Sequence, residues 1–134
     1  MTSGARTSIS AFPRGHEFPH ARFTLGADAV AAYLHSVGDE GDYRGVVPPL
    51  AAVALGLSAL QAQITLPDGS LHTGQDVEQT GLLREGEELT LTGRIAQRSE
   101  RQGFVISVIE FEICGSGEPA VRARTTIMAP AAAT

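Results

Sequence analysis

Residues 43–64 read YRGVVPPLAAVALGLSALQAQI, and this stretch decides the fold. After Pro48 and Pro49, about four helical turns carry no charge and only Ser58, Gln61 and Gln63 as polar side chains. A helix that is apolar around its whole circumference cannot lie on a surface, so other elements must cover it on every side. The paired prolines suit its start, where proline has no N–H to leave unsatisfied. The apolar run predicts a helix continuing to about Ile64. It is too short, and too rich in small residues, to span a bilayer.

The residues after it supply the cover. Leu89, Leu91 and Ile95 alternate with Thr90, Thr92 and Arg94, the mark of a half-buried antiparallel strand. Residues 104–113 (FVISVIEFEI) are apolar on both faces, which predicts a central strand. In residues 120–128 (AVRARTTIM), Val121, Ala123 and Ile127 share one face and Arg122 and Arg124 the other. Residues 72–79 form a polar strand, in which a period of two groups His72 with Asp76 and Glu78 and puts Gln75 opposite. Pro67-Asp68-Gly69 is a turn in which Pro presets one φ and Gly accepts a positive one. Turns are also expected at residues 85–87 and 115–117, and a polar hairpin end at 98–103.

Upstream, residues 17–24 read as an edge strand, because Pro19 cannot donate to a ladder. Over residues 26–38, Val30, Tyr33, Leu34 and Val37 recur at helical spacing, Asp28 sits in the first turn, and Gly38 is a natural stop. An acidic, glycine-rich loop (GDEGDYRG, residues 38–45) leads to the apolar helix. No internal repeat or boundary interrupts the 134 residues, so one domain is expected, with residues 1–11 and 130–134 flexible.

Composition narrows the function. The net charge is −5, from 10 basic and 15 acidic residues, with no basic cluster, which argues against nucleic acid and against a basic membrane-binding face. The single cysteine, Cys114, rules out an internal disulfide and suits a reducing compartment. Residues 1–11 (MTSGARTSISA) contain no signal-type apolar run, so a cytoplasmic protein is expected. His16 and His20 are four apart but lack a third ligand nearby, so no metal is expected, and no cofactor.

Three segments in this order resemble the MaoC-like hydratases and dehydratases. They are YLHSVGD (residues 33–39), YRGVVPPL (43–50) and LLREGEELTLTGRI (82–95). The resemblance is greatest to the branch in which one domain forms the non-catalytic half of a (3R)-hydroxyacyl-thioester dehydratase. It implies an α+β hot-dog fold, an antiparallel sheet wrapped around the central helix. It also implies pairing with a second hot-dog subunit as a homodimer or heterodimer. Edge-to-edge pairing also removes an exposed strand edge. The implied ligand is an acyl thioester of coenzyme A or acyl carrier protein.

The resemblance also locates the chemistry. Active members carry Gly-Asp-x-Asn-Pro-x-His as an acid/base pair, with a backbone N–H at the helix start as oxyanion donor. Here Gly38 and Asp39 match, but Gly41, Asp42 and Arg44 stand at the Asn, Pro and His positions, and Pro49 has no N–H to give. The catalytic residues to test are therefore Asp39, as a remnant carboxylate, and His72, as a relocated base. The substrate-binding set implied is Tyr43, Arg44, Val47, Pro49, Leu50 and Gln75, with Arg44, Arg122 or Arg124 able to meet a phosphate. A subunit that shapes the acyl pocket is the leading expectation. A self-sufficient hydratase or thioesterase homodimer, and a non-catalytic acyl-binding or scaffold protein, are the alternatives.

Overall fold

The computed structural model describes residues 7–131 apart from 42, 61–62 and 116–118, with residues 49 and 59 described by their backbone alone. In chain order the elements are β1 (Thr7–Ser8), a 3-10 turn (Ile9–Ala11), β2 (Glu17–Thr24), α1 (Ala27–Ser36), β3 (Val46–Val47), α2 (Pro49–Leu60), β4 (Ile64–Thr65), β5 (Leu71–Gln79), β6 (Leu83–Arg84), β7 (Glu88–Arg101), β8 (Phe104–Cys114) and β9 (Pro119–Pro130). The five long strands form one antiparallel sheet in the order β2-β7-β8-β9-β5.

The sheet's inner face is built by alternation. On β8, which is central as its two apolar faces predict, Val105, Ser107, Ile109, Phe111 and Ile113 are buried. Leu89, Leu91 and Ile95 of β7 and Val121 and Ala123 of β9 are buried too. α2 lies on this face, touching β2, β5, β8 and β9. Small residues let it approach closely. A Cβ on Gly56 would stand 3.0 Å from Leu91 Cδ1 and 3.2 Å from Ile113 Cδ1. Ala51, Ala52, Val53 and Leu60 are buried beside it. A sheet wrapped on one central helix in this order is the hot-dog fold.

Two expectations about the helix need correction. Its described residues run to Leu60, and Ile64 is already strand. Gln63 N–H donates to the Leu60 carbonyl, and Ile64 then enters β4, pairing in parallel with Thr7 of β1. Residues 7–11 are thus structured rather than loose. Ile9 is buried, and the buried Ser10 hydroxyl donates to the Pro130 carbonyl at 2.8 Å. Nor is α2 covered on every side, since Leu50 is 58% exposed.

The 98–103 segment is the hairpin end expected. Residues 98–101 pair with β8 as strand, and the chain reverses in two residues, Gln102 and Gly103, with φ of 51° and 83°. Two positive values are what a tight right-twisted hairpin requires. The expected turn at 115–117 falls largely outside the described residues.

The outer face carries a ladder of charge. In register across all five strands stand Glu17, Arg94, Glu110, Arg124 and Asp76. Arg94 and Arg124 pair with opposite oxygens of Glu110 at 2.8 and 3.3 Å, and Arg122 pairs with Glu112 at 2.8 Å. Such exposed pairs contribute about 0–1 kcal/mol each. They give Arg122 and Arg124 partners within the sheet.

The two edges are unequal. β2 carries Pro19 and a register shift between Phe18 and Ala21, two devices that blunt an edge. β5 runs for nine residues without proline. Its one irregularity lies between His72, paired with Ile127, and Gly74, paired with Thr126. Thr73 is the extra residue of this β-bulge. It turns His72 to the same inner side as Gln75 and Val77, away from Asp76 and Glu78, overturning the simple period of two.

Candidate functional site

The flank of α2 that the sheet leaves open faces β5. Leu50, Ala54 and Leu57 lie at i, i+4 and i+7, one stripe of the helix. With Tyr33 of α1 and Gln75 and Val77 of β5 they line a groove of about 500 Å³. Further along the same flank, Leu57 also walls a cavity of about 210 Å³, formed with Leu60, Ile64, Leu66, Ser70, Leu71, His72, Ile109, Thr125 and Ile127. The two share Leu57 and run beneath β5, with the exposed Leu50, Leu66 and Leu71 around them. An apolar slot with few polar groups is the form of a chain-binding site.

A larger depression, about 570 Å³, lies on the charged ladder of the outer face. Its arginines are already ion-paired, and it presents no apolar slot like that on the inner side.

The acidic loop is held by its own geometry. Gly38, with φ of 72°, ends α1 and lets Asp39 N–H reach the Leu34 carbonyl at 2.9 Å. Arg44 and Gly45 take φ of 53° and 81° at the centre of a turn closed by Val46 N–H on the Tyr43 carbonyl. This fold brings Tyr43 back to Asp39. The phenol donates to Asp39 Oδ2 at 2.5 Å, and Gly41 N–H donates to Oδ1 at 2.7 Å. First the Tyr43 bond and then the Gly41 bond hold the Asp39 carboxyl below the ordinary carboxylate range, while the same contact raises the Tyr43 phenol. A carboxylate so satisfied is a weak base.

Tyr43→Phe is therefore expected to raise the Asp39 pKa toward its ordinary value. Because the folded value is depressed, the bond stabilises above the unfolded pKa and is lost as pH falls through the folded one. The variant's stability deficit should vanish in acid. An NMR titration of the Asp39 carboxyl measures the shift, and an unmoved pKa would leave Gly41 as the sole cause.

The expected site residues thus separate. Leu50 and Gln75 meet in the groove, and Asp39 and Tyr43 meet in the loop. His72 lines the neighbouring cavity, exposed. Arg44 sits at a turn tip. Val47 is buried in the core, where β3 pairs with β6, and does not reach the groove. The side chain of Pro49 lies outside what is described, although its place as first residue of α2 is as expected. The two prolines at this helix start remove two of the N–H groups that would otherwise point outward. Tyr33, Ala54, Leu57, Val77 and Thr125 were not anticipated, though the helical stripe through Leu50, Ala54 and Leu57 was a readable signal. Among the described residues, no group of three His, Cys, Asp or Glu side chains is placed to hold a metal, and no helix is long and apolar enough to cross a membrane.

No family model and no curated protein matches the sequence. Solved structures do match the fold. A MaoC-like dehydratase from Rhodospirillum rubrum superposes with a TM-score of 0.74 at 15% identity, over 95% of this chain and 99% of that one. The (R)-hydratase from A. caviae involved in PHA biosynthesis gives 0.73 at 19%, over 91% and 100%. The HadBC (3R-hydroxyacyl-ACP dehydratase) complex from Mycobacterium tuberculosis gives 0.70 at 18%, over 90% and 99%. At these identities the likeness extends to the fold.

Proposed function

We propose that this chain is the pocket-shaping subunit of a MaoC-like acyl-thioester dehydratase or hydratase, with the acid/base pair supplied by a second hot-dog subunit. One observation carries the reading. The groove between α2 and β5 is apolar and open, yet among the described residues no histidine or carboxylate lines it, and Asp39 is committed to Tyr43 and Gly41. The proline-free β5 edge, flanked by exposed Leu50, Leu66 and Leu71, supports a partner there. The likeness to a (3R)-hydroxyacyl-ACP dehydratase complex and to an (R)-hydratase supports both the ligand class and the pairing.

The test is enoyl-CoA hydration by the purified chain, alone and mixed with a hot-dog subunit carrying an intact Gly-Asp-x-Asn-Pro-x-His. Binding without turnover is expected from the chain alone, and turnover from the mixture. Rapid hydration by the chain alone would sink the reading. Binding with silence in every mixture would favour an acyl-binding scaffold.

The bulge at Thr73 favours one second reading, a self-sufficient homodimer in which His72, turned inward, acts as base for hydration or thioester hydrolysis. That reading requires turnover by the chain alone and its loss in His72→Ala.

A further inference from the structure

We infer that Thr125 is a specificity-determining residue, whose buried hydroxyl bonds an oxygen carried on the ligand chain. The cavity beneath β5 then selects acyl chains bearing a hydroxyl or keto group away from the thioester. This rests on the acyl-thioester reading above.

The wall of the 210 Å³ cavity is mostly Leu and Ile. Three side chains on it are polar. The Ser70 hydroxyl is occupied, donating to the Pro67 carbonyl at 2.6 Å. His72 is exposed, where solvent can satisfy it. Thr125 is 2% exposed, and its Oγ1 bonds no described residue. It sits on β9, in register with Ile109 of β8 on one side and Gln75 of β5 on the other. A buried hydroxyl left without a partner is destabilising, and valine would fill the same space without that cost. A ligand oxygen in the cavity turns the cost into selectivity, because a site built to bond an oxygen disfavours the chain that lacks it.

Ser107 provides a contrast within the same sheet. It is buried and its Oγ also lacks a described partner, yet it does not line the cavity. Ligand preference therefore belongs to Thr125 and not to Ser107.

Calorimetric titration with acyl-CoA thioesters of one chain length, a single hydroxyl moved stepwise along the chain, tests this. The full chain is compared with Thr125→Val and Ser107→Ala. One hydroxyl position should bind about tenfold tighter than the plain chain, the scale of one well-made hydrogen bond. Thr125→Val should lose that preference, keep the plain-chain affinity, and melt no lower than the parent. Ser107→Ala should keep the preference. Plain chains binding with no positional preference would overturn the proposal and leave the thioester reading standing. A preference that survives Thr125→Val, or a lower melting temperature for that variant, would also overturn it. Failure of every thioester to bind the folded protein would remove both together.

Discussion

Gly56→Leu should leave the chain without its native fold. The Cβ alone would meet Leu91 Cδ1 at 3.0 Å, Ile113 Cδ1 at 3.2 Å and Phe23 Cζ at 3.6 Å. Leu91 and Ile113 are fully buried in the centre of the sheet, so neither has space to retreat. Overpacking a well-packed core typically costs about 1–3 kcal/mol for modest additions, and a whole leucine side chain exceeds that range. The loss compares with a total stability of about 5–15 kcal/mol. Gly56→Ala is the informative control. Helix propensity favours alanine by about 1 kcal/mol, while its methyl meets only the ends of two side chains, so the terms should nearly cancel. Thermal melts followed by circular dichroism check both. A Gly56→Leu protein melting within a few degrees of the parent would show that α2 does not ride as closely on the sheet as described.

With the proposed acyl chain in the groove, Ala54→Trp should weaken binding about a hundredfold while the fold survives. Ala54 is half-buried on the open stripe of α2, between Leu50 and Leu57, with Gln75 and Val77 across the groove. An indole there occupies the slot without entering the core. Each buried methylene contributes about 0.8 kcal/mol, so excluding four of them removes roughly 3 kcal/mol, about a hundredfold in Kd. The measurement is acyl-CoA titration of a protein shown to be folded by its melt. Undiminished affinity would move the chain-binding site elsewhere, and the groove would then have no claim to the ligand.

Periodic stretches were readable from sequence because burial writes them there. The edge strand at residues 17–24, the central position of β8 and the start of α2 at the second proline all emerged as expected. The misses share a cause. β1 and β4 pair over two residues each, too few for a period to show, so the capture of Ile64 by Thr7 was invisible and the helix was drawn too long. The partners of Arg122 and Arg124 depend on strand register, which one strand's pattern cannot supply. The groove was half readable. The stripe Leu50, Ala54, Leu57 is in the helix, but its exposure follows from where the sheet ends. Val47, which the resemblance sets near substrate, is drawn into the core by a two-strand contact with Leu83, a pairing its own short segment does not display.

Thr73 gives β5 a phase that ordinary point substitution does not alter. The strand from Gly74 onward keeps its ladder with β9 whatever precedes it, while Leu71 and His72 take their orientation from a count of residues. Deleting that one residue would set His72 directly before Gly74, still opposite Ile127 and still on the inner side, and would leave Gln75, Val77 and the groove intact. The inner histidine therefore outlasts loss of the bulge, whereas a strand that kept Thr73 but ran flat would set His72 opposite Met128 and turn it outward.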